Sequence, residues 1–180
     1  LLDQFLRDGS NQRTDAYGGS IENRARLPLE AARAVAEVFG ADRVGYRLFP
    51  QNFPYTGMHD STPTETFTYI ARELGKLGLG YLHVTELVTG PAAPAPEQRI
   101  TPAIRKAFPG VLIANGGYDA QAGEAVLERG EADLVAYGVP FLANPDLPER
   151  FRRSAPLNTP DASTFFQGEE QGFTSYPALT

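Results

Sequence analysis

Three groups of residues in this 180-residue chain have types and spacing suited to chemistry. The first is Arg47, inside the apolar run Arg43-Val44-Gly45-Tyr46-Arg47-Leu48-Phe49. A cation in an apolar strand is costly unless it is paired. It either closes a buried salt bridge or, near the C-terminal end of the strand, faces a site. The second group is Asn115-Gly116-Gly117, which follows Val111-Leu112-Ile113-Ala114 and precedes a helical pattern. The third is Gly138, which follows Asp133-Leu134-Val135-Ala136-Tyr137. Glycines at strand-to-helix turns let backbone N–H groups approach phosphate oxygens, and the field of a helix N-terminus favours the anion. The plain alternative is that these are tight turns. Two histidines, His59 and His83, give no metal spacing and no Ser-His-Asp arrangement. His59 falls in a polar loop, where it is solvated, and His83 in an apolar strand, where it is a core residue or one that backs the site rather than a catalytic one.

The elements that must position these residues follow from periodicity and punctuation. A helical pattern covers 20–39, with Ser20 as N-cap, Pro28 breaking it near Arg24 and Gly40 stopping it. Strands are expected at 43–49, 81–85, 111–114 and 133–137. Residues 51–61 and the Pro/Ala-rich 86–98 read as long loops. A helix from Pro63 has Thr62 as N-cap and Glu65 completing a capping box; Phe67, Ile70, Ala71, Leu74 and Leu77 form its apolar stripe. Further helices run from Thr101 to Phe108, from an Asp119 cap to Gly130, and from Asn144-Pro145 to Arg153, with a turn at 141–143. Residues 154–180 form an irregular tail. Strands of four to six residues alternating with helices call for parallel pairing with right-handed crossovers, buried on both faces. Four such units amount to half of an eight-stranded α/β barrel, which typically needs about 250 residues. A half-barrel alone exposes two sheet edges and one apolar face, which another segment, another chain or self-association must cover.

Composition narrows the classes of function. A net charge of −6 argues against nucleic acid or an anionic membrane surface as the main partner. No apolar run approaches the roughly 18 residues of a membrane-spanning helix. The absence of cysteine excludes disulfides, thiolate nucleophiles and cysteine metal sites, and is compatible with the cytoplasm. The chain opens on Leu1-Leu2-Asp3-Gln4-Phe5-Leu6 without Met and reads as the middle of something longer.

The stretch from Ser10 to Arg26 organises the rest. It reads as a polar loop entering a helix, with Arg13, Asp15, Glu22, Arg24 and Arg26 spaced for a fixed ion-pair web. Its order, N-x-R-x-D-x-Y-G-G-S-x-E-N-R-x-R, resembles the signature of the Old Yellow Enzyme family of FMN-dependent ene-reductases. The resemblance continues through Val44-Gly45-Tyr46-Arg47, Tyr81-Leu82-His83, Asn115-Gly116-Gly117-Tyr118, Tyr137-Gly138, Asn144-Pro145-Asp146-Leu147 and Tyr176-Pro177.

The resemblance implies the C-terminal half of a (β/α)8 TIM barrel over 1–153, with a tail over 154–180 packed on it. It implies FMN as cofactor, NAD(P)H as hydride donor and an activated alkene, an unsaturated carbonyl or nitro compound, as substrate. It assigns Arg47 to the pyrimidine edge of the flavin and Asn115, Gly116, Gly117 and Gly138 to cofactor binding. Phe166, Phe173 and Tyr176 match an aromatic segment that approaches the flavin, or else simply pack the tail. The family's substrate-anchoring pair and proton-donating tyrosine match no residue here, so no catalytic residue is assigned. Val139 stands where the family carries an arginine to the phosphate, a charge-assisted contact worth about 1.5–3 kcal/mol. The alternative is a non-catalytic half-barrel, or one chain of a split enzyme. Another phosphate-binding barrel, an aldolase or isomerase, calls for a lysine at a strand end, and no strand here ends in one.

Overall fold

The computed structural model describes residues 1–51, 58–167 and 170–179. The middle of the loop expected at 51–61, and residues 168, 169 and 180 of the expected tail, lie outside the described residues. Contacts divide the chain into two units, Leu1–Val135 and Ala136–Thr180.

In the first unit, β1 (Gly45–Leu48), β2 (Tyr81–Thr85) and β3 (Val111–Asn115) pair in parallel, and β4 (Leu134–Ala136) begins at its end. The sheet order is β1-β2-β3-β4, so each βα unit adds its strand beside the last. Arg47 lies opposite His83, and Thr85 opposite Asn115. Side chains alternate between faces along a strand, so the register sorts them into two sets. Leu48, Leu82, Val84, Leu112 and Ala114 are at most 2% exposed. They form one core with Phe67, Ile70 and Leu74 of α4 (Pro63–Lys76), Ile104 of α5 (Thr101–Ala107) and Val126 of α6 (Ala120–Glu128). The other face carries Arg47, Tyr81, His83, Thr85, Val111, Ile113 and Asn115, and both Tyr81 and Val111 are 41% exposed. Burial on both faces is therefore not observed. The open face is mixed: Tyr81, Val111 and Ile113 are apolar, and Arg47, His83, Thr85 and Asn115, toward the C-terminal ends, are polar.

The elements begin and end close to where local signals put them. Ser20 Oγ accepts the Asn23 N–H at 3.4 Å to start α2 (Ile21–Arg24). Ala25 separates it from α3 (Arg26–Phe39), whose first turn holds Pro28. Asp119 accepts the Ala122 N–H at 2.7 Å and starts α6. Thr62 does not cap α4 with its side chain. Asp60 instead braces the turn that enters the helix: its Oδ1 accepts from the Thr62 N–H and from Thr66 Oγ1, both at 3.0 Å. A carboxylate is a stronger acceptor than a hydroxyl, and Asp60 is held there by Arg24, 3.6 Å away. Residues 2–6 form a short helix, α1 (Leu2–Leu6).

In the second unit, α7 (Val139–Ala143) forms where only a turn is expected, and α8 (Leu147–Arg153) starts three residues later than Asn144. Asn144 is fully buried and occupied elsewhere, donating to Pro140 O at 2.8 Å and accepting the Asn158 N–H at 2.7 Å. Arg150, 4% exposed, ties the tail to α8 through Asp146 (2.7 Å), Pro156 O (2.6 Å) and Pro177 O (2.8 Å).

Candidate active site

The loop and helix at 10–26 act as a buried clamp. Arg24 is 5% exposed and donates to Leu6 O (2.8 Å), Gly19 O (2.5 Å) and Thr66 Oγ1 (3.2 Å), with Asp60 as counter-charge. Five donors in a rigid fork let one guanidinium join α1, the glycine loop and α4. The expected ion-pair web is thus mostly a set of arginine-to-carbonyl bonds, with Arg13–Asp15 as its exposed ion pair. Arg26 Nε donates to Ala16 O at 2.7 Å, and Tyr17 Oη to Glu30 at 3.1 Å. Arg7, 1% exposed, continues the clamp to the end of β1 by donating to the carbonyls of Phe49 and Gln51.

At the C-terminal ends of the strands, side chains join across the open face. Arg47 is exposed, so it is not a buried salt bridge, and it pairs with no carboxylate among the described residues. Its Nε donates to Thr85 Oγ1 at 3.1 Å, and Thr85 Oγ1 is 3.2 Å from Asn115 Oδ1. His83, opposite Arg47, has a shielded Nε2 with no hydrogen bond to a described residue. Burial and the Arg47 charge hold its imidazole below the ordinary value of 6.5, so it stays neutral near pH 7.

The backbones of the same loops are joined too. Gln51 Oε1 accepts the Leu87 N–H at 2.8 Å, Asn115 O the Glu86 N–H at 2.9 Å, and Gly116 O the Val88 N–H at 2.8 Å. This approach explains the double glycine: a Cβ on Gly116 falls 2.1 Å from Glu86 O, and one on Gly117 falls 2.6 Å from Thr89 Oγ1. Both also have positive φ, +135° and +88°. Gly138, which opens α7 in the second unit, is different. Its φ is −90° and a Cβ there meets nothing within 4 Å. The chain itself does not require glycine at that point.

Two residues of this site escaped the sequence reading. Thr85 is the hydroxyl between Arg47 and Asn115. Glu86 is a carboxylate 1% exposed that accepts the N–H groups of Ile100 (2.7 Å) and Thr101 (3.0 Å), with Arg99 3.6 Å away. It caps α5 and closes the Pro/Ala-rich loop. The available signal was their position, a polar pair directly after the apolar run of β2. His59 is exposed, as expected for a solvated loop residue. Among the described residues no group of three or more His, Cys, Asp or Glu can hold a metal, and no helix is long and apolar enough to cross a membrane.

Parallel strands alternating with helices, each adding its strand beside the last, define half of a (β/α)8 barrel. The chain belongs to the NADH:flavin oxidoreductase / NADH oxidase family, whose pattern matches residues 1–158. It is 43% identical over 182 residues to 12-oxophytodienoate reductase 2 of Arabidopsis thaliana, covering 99% of this chain and 48% of that protein. Among solved structures it superposes on morphinone reductase with a TM-score of 0.92 and 52% identity, covering 99% of this chain and 48% of that one. The Old Yellow Enzyme homologue of Zymomonas mobilis superposes with a TM-score of 0.93 and 37% identity, over 99% of this chain and 50% of that one. The chain spans about half the length of these relatives.

Proposed function

We propose that this chain supplies the cofactor-holding half of an FMN-dependent ene-reductase barrel. When bound, FMN supplies hydride chemistry between NAD(P)H and the β-carbon of an activated alkene. One solved morphinone reductase, 50% identical to this chain, is in complex with tetrahydroNAD, which supports a nicotinamide as the donor. The observation that carries the reading is Arg47. It stands on the open face with no carboxylate partner among the described residues, and Thr85 holds it in place. A guanidinium there donates to the pyrimidine edge of the isoalloxazine and favours negative charge on it. Asn115, Gly116 and Gly117 present a turn locked by the 86–89 backbone. Gly138 leaves space that a side chain would fill, which fits a phosphate group. Val139 contributes no charge to that phosphate.

Titration of the purified chain with FMN, followed by flavin fluorescence quenching and the visible band near ~450 nm, tests this. Arg47→Met is expected to weaken binding by about 1.5–3 kcal/mol, roughly ten- to a hundredfold. Equal affinity in the variant overturns the assignment of Arg47.

A second reading is a half that binds but does not catalyse alone, completed by another half in the same or a separate chain. The open face, with Tyr81 and Val111 both exposed, and the edge position of β1 among the described strands favour it. A groove lined by Leu2, Asp3, Leu6 and 45–48 runs along that edge. Sedimentation of the chain with and without a partner half distinguishes the two readings: a lone monomer that turns over alkene removes the second.

A further inference from the structure

We infer that Thr85 is a positioning residue whose hydroxyl, oriented by Asn115, fixes the guanidinium of Arg47 against the cofactor; the cofactor part of this rests on the reading above. The direction of the bonds follows from their chemistry. Arginine only donates, so Thr85 Oγ1 must accept from Arg47 Nε at 3.1 Å. A hydroxyl carries one hydrogen, and that hydrogen is then left for Asn115 Oδ1 at 3.2 Å. The chain of bonds runs one way, Arg47 to Thr85 to Asn115, across three adjacent strands.

The surroundings make the hydroxyl a fixed acceptor. Thr85 is 9% exposed, two register rows beyond the Arg47–His83 pair and on the same face. As a β-branched residue in a strand it has restricted χ1 freedom. Arg47, by contrast, is exposed, and its one hydrogen bond to a described residue is the one to Thr85. A long side chain held only by solvent must be immobilised when a ligand arrives, whereas one already held at Nε loses less freedom. The residue types also agree: valine or alanine at 85 would suit an apolar strand equally well, and neither offers an acceptor.

The test compares Thr85→Val, which keeps the shape, with Thr85→Ser, which keeps the hydroxyl, each with and without Arg47→Met. Thr85→Val is expected to weaken FMN binding about three- to tenfold and to lower the potential of the bound flavin. Thr85→Ser is expected to stay near wild type. In the Arg47→Met background Thr85→Val should have no further effect. Equal loss with and without Arg47 shows that Thr85 acts through packing and overturns the inference.

A readout on the chain without flavin separates the two claims. The Arg47 Nε–H resonance should exchange slowly with solvent in wild type and Thr85→Ser, and fast in Thr85→Val. Fast exchange in wild type overturns the positioning role, whatever FMN does. Slow exchange with no effect of Arg47→Met on FMN leaves the positioning intact and refutes the cofactor reading instead. Circular dichroism confirms that each variant is folded before either comparison is made.

Discussion

Replacing Glu86 with glutamine keeps the shape of the side chain and removes one charge and one acceptor. Both carboxylate oxygens are in use: one accepts the Ile100 N–H at 2.7 Å, the other the Thr101 N–H at 3.0 Å, and Arg99 Nε lies 3.6 Å away. Glutamine has one carbonyl oxygen, so one of the two amides must face an NH2 donor. Removing one partner of a buried ion pair costs about 3–5 kcal/mol. Arg99 also keeps Tyr118 Oη at 3.1 Å and Glu131 at 3.8 Å. That places the cost near the lower end, about 3 kcal/mol. For a chain of this size each kcal/mol moves the melting temperature by about 2–4 °C, so Glu86→Gln should melt about 6–12 °C lower. Thermal unfolding by circular dichroism reads this, and hydrogen exchange at the Ile100 and Thr101 amides locates it. A melting temperature within about 2 °C of wild type, with both amides still protected, refutes the view that Glu86 holds the start of α5.

The two glycine turns should respond in opposite ways. Gly116→Ala forces a Cβ to 2.1 Å from Glu86 O at a φ of +135° and should destabilise by about 3 kcal/mol or more in urea unfolding. Gly138→Ala meets nothing within 4 Å and should stay within about 0.5 kcal/mol of wild type, while weakening FMN in the fluorescence titration. His83 should add an acid-side loss of stability. Its folded value lies below 6.5, so its contribution is complete above 6.5 and is lost as pH falls through the lowered value, because the unfolded chain takes up the proton first. The urea midpoint of His83→Gln should therefore fall less than that of wild type between pH 7.5 and about pH 5. Arg150→Met leaves the carbonyls of Pro156 and Pro177 and the Asp146 carboxylate without their shared donor. Chymotrypsin should then cut after Phe173 faster than in wild type.

Much of the fold was legible because its signals are local. The short apolar runs of the strands, the helical stripe from Phe67 to Leu74, the caps at Ser20 and Asp119 and the stops at Gly40 and Gly130 each depend on residues within a few positions of one another. The order of the 10–26 run, together with Arg47 and the glycine pairs, was enough to point to the flavoprotein family to which the chain belongs. Local reading failed where two local signals competed. Thr62 looks like a cap, yet its side chain makes no cap bond, and Asp60, held by Arg24 from 36 positions away, accepts the Thr62 N–H and the Thr66 hydroxyl. Asn144 looks like a helix start, yet its side chain is taken by Asn158 and Pro140.

The amino-acid order by itself determined which segments are strands and helices, and which residues carry charge or permit tight turns. Only the tertiary structure decided which of them meet. Parallel pairing gives no hairpin turn to set the register, so nothing in the spacing of residues 47, 85 and 115 says that their side chains share one row of hydrogen bonds. The same register puts Leu82 and Val84 in the core and turns His83 and Thr85 to the open face. A shift of one residue would have reversed that and left Arg47 among the leucines.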